Sequence, residues 1–232
     1  TQEVDPNDFY EDQIETTTKI MGFNLRGTAA KEVEEFGEKW AEEIMDNEEK
    51  SPFYDHTKPI IQHNSERGIY SVAISGSPNF LIKPFARHLG IPFYFGTEFE
   101  TKIRKVKVGE EEIEEEYFTG NVRHMTGKGD AKMKVCDKLR AEGKYALIGM
   151  GNSDADEPII KASLGSRESN DFHGSSMFVN LGPRDNRGFN RYCKTECRSD
   201  QITIVEKEAE VVINTYRHKL DDVLRNPRNI KK

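Results

Sequence analysis

The chain has 232 residues, a length that suits one large domain or a core with a smaller appendage, and its formal net charge is −7. This negative charge argues against a general nucleic-acid-binding protein, because attraction to phosphates needs clustered positive charge. No apolar run approaches the roughly 20 residues of a membrane-spanning helix, and no secretory segment opens the sequence. We therefore predict a soluble, cytoplasmic protein without a membrane partner.

The cysteines agree with a reducing compartment. Cys136, Cys193 and Cys197 make no even disulfide framework, and no second Cys or His pair lies beside them to complete a zinc site. Structural thiols explain them better, and cytoplasmic proteins commonly keep such thiols reduced.

The first third of the chain is predicted to be helical after a polar start. Residues 1–20 are polar and acidic and contain no apolar strand. Residues 28–46 carry apolar side chains at helical spacing, which predicts a helix with Thr28 as its N-cap. A second helix is predicted over residues 53–65.

A buried strand comes next. Residues 69–74 read IYSVAI, a short apolar run rich in β-branched residues. The run ends at Ser75, Gly76, Ser77 and Pro78, which predict a turn into the helix that follows.

Residues 99–118 alternate loosely around a central glycine, which predicts a solvent-facing hairpin. We interpret the acidic run at residues 110–116 as a solvated edge, whose charges discourage edge-to-edge pairing.

The rest of the sequence alternates helices and strands. Helices are predicted at residues 131–142, 157–164 and 206–224, and strands at residues 145–148, 177–179 and 202–205. Strands separated by helices of this length imply right-handed crossovers and a mainly parallel sheet, so the predicted fold class is α/β. In such sheets ligands bind beyond the carboxyl ends of the strands.

Polar side chains follow two of these strands. Ser75 and Gly76 lead toward a helix N-terminus, whose free N–H groups and dipole suit an anion. Asn152, Asp154 and Asp156 follow the later strand, and their oxygens suit Mg²⁺. A lysine near the start of the intervening helix could neutralise a phosphate. Hydroxyl, ammonium and acid-bound magnesium together are what phosphoryl transfer needs.

Four stretches, taken in order, carry a resemblance to a known family: SVAISGSPNFLIKPFARHLGIPFYFGTEFE, FTGNV, GKGDAKMKVCDKL and ALIGMGNSDADEPIIKAS. Together they resemble the haloacid dehalogenase superfamily, most of all its phosphoserine-phosphatase-like branch. That branch has a hydroxyl residue at the end of one strand, a Gly-Thr and then a Thr-Gly pair, a lysine before a helix, and a G-D-S-x-x-D acidic loop. The resemblance covers about residues 28–180. It implies a three-layer Rossmann-like α/β core with a mainly parallel sheet and a small helical cap.

The resemblance also implies a domain organisation. Residues 1–50 match the helical cap region, and residues 51–205 match the α/β core. Residues 206–232 form a C-terminal helix and tail.

Roles in a phosphate site follow from the same resemblance. Ser75 matches the hydroxyl that bonds the transferring phosphoryl group, with Gly76 beside it in the phosphate-binding turn. Lys132 is the best match for the lysine that stabilises the phospho-intermediate, with Lys128 and Lys134 as competitors. The simpler alternatives are a capping serine for Ser75 and a solvated helix lysine for Lys132.

The acidic loop carries the implied metal ligands. Asp156 takes the place of the second aspartate of the loop, and Asn152 stands where the magnesium-binding aspartate is expected. Mg²⁺ is therefore the predicted cofactor, with Asn152 and Asp156 as its ligands and Asp156 also in the catalytic set. N-capping of the following helix is the alternative role for Asp154 and Asp156.

One motif of the family has no counterpart. The family's chemistry begins with a D-x-D motif after an N-terminal strand, and its first aspartate is the nucleophile. No D-x-D occurs in residues 1–27, where Asp5 and Asp8 have the wrong spacing. Two hypotheses follow. The protein is a magnesium-dependent phosphomonoester hydrolase of small phosphorylated substrates, with its nucleophile segment missing from this chain. Alternatively, it is an inactive relative that binds a protein partner as a subunit of a larger assembly.

Overall fold

The computed structural model of the protein describes residues 6–47, 53–127, 130–151, 154–164, 174–179, 202–205 and 208–225. Its helices are α1 (Pro6–Leu25), α2 (Ala30–Met45), α3 (Thr57–Glu66), α4 (Asn79–His88), α5 (Ala131–Ala141), α6 (Glu157–Leu164) and α7 (Ala209–Arg225). Its strands are β1 (Val72–Pro78), β2 (Phe93–Val108), β3 (Glu111–His124), β4 (Ile148–Gly151), β5 (Ser175–Val179) and β6 (Ile202–Val205). None of the described helices is long and apolar enough to cross a membrane.

The described strands form two three-stranded sheets. In the first, β2 lies between β1, which is parallel to it, and β3, which is antiparallel. In the second, β4, β5 and β6 are all parallel. The α/β fold with mainly parallel pairing is therefore confirmed.

The chain divides into two compact units. The first comprises residues 1–52 and 68–131, and the second comprises residues 53–67 and 132–232. The first unit thus holds the β1–β2–β3 sheet with α1, α2 and α4. The second holds the β4–β5–β6 sheet with α3, α6, α7 and nearly all of α5. The predicted cap boundary at residue 50 and core boundary at residue 205 stay predictions.

Three phenylalanines from different elements build the core of the first unit. Phe80 of α4, Phe99 of β2 and Phe118 of β3 meet with ring centroids 6.3–6.5 Å apart. Ala30 and Val33 of α2 are buried in the same cluster. Edge-on aromatic contacts of this kind add to the free energy gained by burying apolar area.

Helix α1 was not predicted from the sequence, because its residues are largely polar. A glycine lets it pack closely on β3. A Cβ atom on Gly22 would lie 2.7 Å from the carbonyl oxygen of Gly120 and 3.2 Å from the ring of Phe99. This tertiary contact, which hydrophobic periodicity does not report, brings α1 onto the sheet.

The predicted N-cap of α2 was wrong. Ala29 occupies the N-cap position and makes no side-chain capping bond. Thr28 lies one residue earlier, where its carbonyl oxygen accepts a hydrogen bond from the N–H of Phe118 (3.0 Å). Backbone pairing with β3, including a bridge between Ala29 and Tyr117, decides where α2 begins.

Two strand boundaries also differ from the prediction. Strand β1 extends through Ser75 to Pro78, but its pairing with β2 is irregular between Ile74 and Pro78, and α4 begins at the next residue. We refer to this irregular strand end, residues 75–78, as the turn at Ser75. Strand β4 begins at Ile148, three residues later than predicted. The hairpin centre is confirmed, since Gly109 turns the chain between β2 and β3 with φ of 65°.

The contact between α2 and α4 gives a first testable prediction. A Cβ atom on Gly37 would contact the carbonyl oxygen of Phe80. A Gly→Ala change in an unconstrained helix position stabilises by about 1 kcal/mol. Here we expect Gly37→Ala to lower the free energy of unfolding by about 1–3 kcal/mol, because the backbone of α2 or of α4 would have to shift to admit the methyl group.

Urea denaturation measures this change, with Lys39→Ala as the control. Lys39 is exposed on the same helix, so its replacement should change stability by less than about 0.5 kcal/mol. A more stable Gly37→Ala variant would show that α2 and α4 do not approach this closely.

Candidate functional site

The carboxyl end of β1 presents the first candidate residues. Ser75 is partly exposed and Gly76 is exposed, and the N–H of Ser77 donates a hydrogen bond to Ser75 Oγ (3.2 Å). A serine hydroxyl that accepts one hydrogen bond can still donate its own proton. No side chain caps α4, which begins at Asn79, so Ser75 lies on a turn that leads directly to an uncapped helix N-terminus.

Two buried threonines hold this turn in place. Thr97 Oγ1 donates a hydrogen bond to the carbonyl oxygen of Gly76 (2.7 Å) and accepts one from the N–H of Thr126 (3.4 Å). Thr126 Oγ1 donates in turn to the carbonyl oxygen of Gly96 (2.7 Å). Both threonine side chains are buried, with 1% exposure or less. The hydroxyls therefore connect the end of β1 and the first part of β2 to the segment that follows β3.

Glycines allow the same segments to touch. A Cβ atom on Gly76 would lie 3.1 Å from the Cα atom of Gly127, and a Cβ atom on Gly127 would lie 3.1 Å from that of Gly76. On Gly96, a Cβ atom would lie 2.6 Å from the carbonyl oxygen of Ser77. Each of these positions leaves no room for a larger residue without movement of the backbone.

The sequence reasoning did not single out Thr126 and Gly127. The Thr-Gly pair quoted for the family resemblance was Thr119 with Gly120, which lies on β3. There Thr119 Oγ1 donates a hydrogen bond to Glu100 (2.6 Å). The pattern Gly-Thr followed by Thr-Gly occurs with either pair, and only the fold shows which one contacts Thr97.

Glu100 itself is an ordered carboxylate at the surface. Hydrogen bonds from Thr119 and from Asn121 lower the pKa of Glu100 below its ordinary value. Its negative charge is therefore retained well below neutral pH.

The second unit holds the other candidates. Lys132 lies in the first turn of α5, and Asp156 ends a 3₁₀ turn (Asp154–Asp156) that leads into α6. Lys132 Nζ lies 2.7 Å from Asp156 Oδ1, and the two side chains are only 8% and 14% exposed. The structure thus brings together two predicted site residues as a largely buried ion pair.

The end of β4 positions this carboxylate. A Cβ atom on Gly151 would contact the Cβ atom of Asp156 and lie 3.0 Å from its Cγ and Oδ2. A Cβ atom on Gly149 would lie 2.7 Å from Ser163 Oγ and 2.8 Å from the carbonyl oxygen of Ile159. The glycines of β4 therefore let the strand pack directly on α6 and on the turn before it.

The remaining candidates are distributed as follows. Lys134 is exposed, so it differs from the buried Lys132, whereas Lys128 and Asn152 lie outside the described residues. Ser75 and Gly76 belong to the first unit, and Lys132 and Asp156 belong to the second. The catalytic, phosphate-binding and metal-binding roles of these residues stay predictions.

The described residues fit a magnesium ion only in part. They contain no group of three or more His, Cys, Asp or Glu side chains that could hold a metal ion. Asp156 offers hard carboxylate oxygens, but its Oδ1 atom already accepts a hydrogen bond from Lys132. Ca²⁺ and Mg²⁺ sites usually draw on several oxygen ligands, so Asp156 needs further donors beyond the described set.

A thiol near Lys132 has a different character. Cys136 lies one turn further along α5 and is buried. Burial raises the pKa of its thiol to about 11. At neutral pH the thiol therefore stays protonated, which makes it a poor nucleophile.

The threonine network can be tested by removing one hydroxyl. Thr97→Val keeps the side-chain shape but leaves the carbonyl oxygen of Gly76 and the N–H of Thr126 without this partner. We expect the free energy of unfolding to fall by about 1–3 kcal/mol, measured by chemical denaturation. Thr101→Val is the matched control, because the hydroxyl of Thr101 bonds Glu116 at the surface and should matter by less than about 0.5 kcal/mol. Equal effects of the two variants would contradict the assigned role.

The ion pair predicts that substitutions of its two residues change the free energy of unfolding non-additively. Lys132→Met and Asp156→Asn each leave one buried charge without its partner, and each should cost about 3–5 kcal/mol of unfolding free energy. The double variant removes both charges, so its cost should fall short of the sum of the single costs by about 0.5–3 kcal/mol. Denaturation of all four proteins measures this coupling, and strictly additive costs would contradict a direct pair.

Comparison with known proteins shows the family to which the chain belongs. The family model described as "haloacid dehalogenase-like hydrolase" matches residues 12–161, more than half of the chain. A comparison with curated protein sequences finds no match.

Several solved structures are similar at low sequence identity. A protein of unknown function from Bordetella pertussis Tohama I has a TM-score of 0.55 at 16% identity, over 83% of this chain and 74% of that one. A phospho-aspartyl intermediate analogue of phosphoserine phosphatase has a TM-score of 0.47 at 16% identity, over 79% and 78% of the two chains. An apo form of phosphoserine phosphatase has a TM-score of 0.41 at 15% identity, over 72% and 84%. The first likeness concerns the fold, and the family match carries the assignment: the chain belongs to the haloacid dehalogenase-like hydrolases.

Proposed function

We propose that this protein is a magnesium-dependent phosphomonoester hydrolase, similar to phosphoserine phosphatases, that acts on a small phosphorylated substrate. The observation that carries the proposal is the ion pair between Lys132 and Asp156 beside the carboxyl end of β4. A largely buried pair costs desolvation energy and is weak evidence for stability. Ligands of α/β folds bind beside the carboxyl ends of the strands, and a lysine held there by its aspartate partner suits a phosphate ligand.

The turn at Ser75 supports the same reaction. Ser75 Oγ would donate a hydrogen bond to a phosphoryl oxygen, and the N–H of Gly76 would add a second donor. The buried hydroxyl of Thr97 fixes the carbonyl group of Gly76 and so preorganises the turn. Donors held in place before substrate binds need no reorganisation during the reaction.

The proposed nucleophile is an aspartate on a strand outside these 232 residues. Its carboxylate would attack phosphorus and release the alcohol, and water would then hydrolyse the aspartyl phosphate to inorganic phosphate. The edge of β1 opposite β2 carries no strand among the described residues, and the β1 sequence VAISGSP contains no charge. Proteins usually pair, cover or charge the edge of a sheet, and a parallel neighbour at this edge would end beside Ser75.

Charge neutralisation is the task proposed for the second unit. Lys132 would offset the negative charge of the nucleophile and of the phospho-intermediate. Mg²⁺ bound through Asn152 and Asp156 would supply positive charge to the phosphoryl oxygens. An asparagine oxygen can ligate Mg²⁺, but it brings one negative charge fewer than an aspartate.

An inactive relative that serves as a binding subunit is the second candidate function. Two features of the acidic loop favour it. One oxygen of Asp156 already accepts a hydrogen bond from Lys132, and an asparagine stands at position 152. Both features weaken a magnesium site.

Turnover of an aryl phosphate with Mg²⁺ by the intact natural protein tests the proposal. We expect measurable hydrolysis, and we expect Ser75→Ala to lower kcat about 100-fold, the usual effect of removing one donor to a developing charge. Ser65→Ala, which removes an exposed hydroxyl from α3, is the matched control and should retain full activity.

Two outcomes would contradict the enzyme. Hydrolysis that Ser75→Ala leaves unchanged would place the reaction elsewhere. No hydrolysis, together with no Mg²⁺ binding by calorimetry, would favour the inactive relative.

A further inference from the structure

The outer parts of β2 and β3 form a two-stranded ribbon, which we define as residues 101–116. Strand β1 pairs with β2 only as far as Thr97, and beyond that point β2 pairs with β3 alone. At about 3.4 Å per residue, the eight residues of β2 in the ribbon span roughly 27 Å. Within the described part of the chain, no strand pairs with the outer edge of either ribbon strand.

Charge is fully segregated between the two ribbon strands. Within the ribbon, the charged residues of β2 are all basic, namely Lys102, Arg104, Lys105 and Lys107. Those of β3 within the ribbon are all acidic, namely Glu111, Glu112, Glu114, Glu115 and Glu116. One edge of the ribbon is therefore basic and the other is acidic.

Within one copy, the basic residues of β2 form ion pairs with the acidic residues of β3. Arg104 faces Glu115 across the ribbon, with Nη2 to Oε2 at 2.5 Å, and the Arg104 guanidinium also lies 4.8 Å from the centre of the Tyr117 ring. Lys105 Nζ lies 3.5 Å from Glu112 Oε1. A basic strand and an acidic strand of this chain are thus complementary in register.

The ribbon also exposes apolar side chains. Ile103, Val108 and Ile113 are 68%, 59% and 43% exposed. A two-stranded ribbon is marginally stable by itself, and further strands that cover its apolar residues stabilise it.

We propose that the ribbon is a self-association surface, in which the basic β2 edge of one copy pairs with the acidic β3 edge of a second copy. Two β3 edges would place glutamates opposite glutamates, and two β2 edges would place lysines opposite lysines, so like charges exclude both symmetric pairings. The mixed pairing repeats the complementarity already seen between Arg104 and Glu115. The glutamates thus discourage pairing with a second acidic edge, as the sequence indicated, but not with a basic one.

This arrangement fixes the kind of assembly. The two contacting surfaces differ, so each added copy leaves one basic and one acidic edge open. Such head-to-tail contacts form rings or growing chains rather than a closed two-fold dimer.

Sedimentation velocity of the full chain at rising concentration provides the first test. In low salt the mean mass should rise above the 26.6 kDa of one chain, without stopping at twice that value. In about 1 M salt, where charges are screened beyond roughly 3 Å, the mass should return toward one chain. A single-chain mass at every concentration, or association that salt leaves unchanged, overturns the proposal.

A charge-swapped ribbon provides the second test. The variant carries Lys102→Glu, Arg104→Glu, Lys105→Glu and Lys107→Glu together with Glu112→Lys, Glu114→Lys, Glu115→Lys and Glu116→Lys. These changes keep the net charge and the complementarity within each ribbon. The variant should associate with itself as the natural protein does, because its two edges remain opposite in charge.

The swapped variant also has an outcome that contradicts the proposal. A folded swapped variant that keeps the mass of one chain in low salt, at concentrations where the natural protein associates, overturns the proposal. The salt test uses no variant and stays decisive if the swapped ribbon misfolds.

Discussion

At several contacts between the elements of this protein, a glycine is needed because a side chain would have little or no room. Gly76 lies against the backbone of Gly127 at the end of β1, and Gly151 lies against the side chain of Asp156 at the end of β4. Gly22 and Gly37 give α1 and α2 the same closeness to their neighbours. The candidate residues of each unit depend on this constraint, because the turn at Ser75 and the carboxylate of Asp156 are each held by a glycine contact.

Buried hydrogen bonds hold the same segments in place. The hydroxyls of Thr97 and Thr126 are buried, so each must form its hydrogen bonds inside the protein, and each donates to the carbonyl oxygen of a strand glycine. Lys132 and Asp156 satisfy each other in the same way. Burying these polar groups costs solvation that an apolar contact would not, and their hydrogen bonds hold the polar segments in place, which the proposed phosphate site would require.

The two outer strands of the first sheet differ in a way that bears on function. Strand β3 is lined with glutamates along its outer part, which exclude another acidic strand. Strand β1 carries no charge at all, so nothing in its sequence opposes a neighbour. Proteins usually pair, cover or charge the edge of a sheet, and this contrast supports a further strand beside Ser75 in the proposed enzyme.

The sequence by itself determined the fold class, nearly every element and the strand ends with polar chemistry, because apolar periodicity and turn residues are local signals. Through the family resemblance it indicated Asp156, and Lys132 as the best match for the site lysine, with Lys128 and Lys134 as competitors. Only the tertiary structure decided that Lys132 is buried against Asp156, that Ala29 rather than Thr28 precedes α2, and that Thr126 joins Thr97. The physical reason is common to all three: burial, backbone pairing and close contact join residues far apart in sequence, and no local pattern records which partner each will meet.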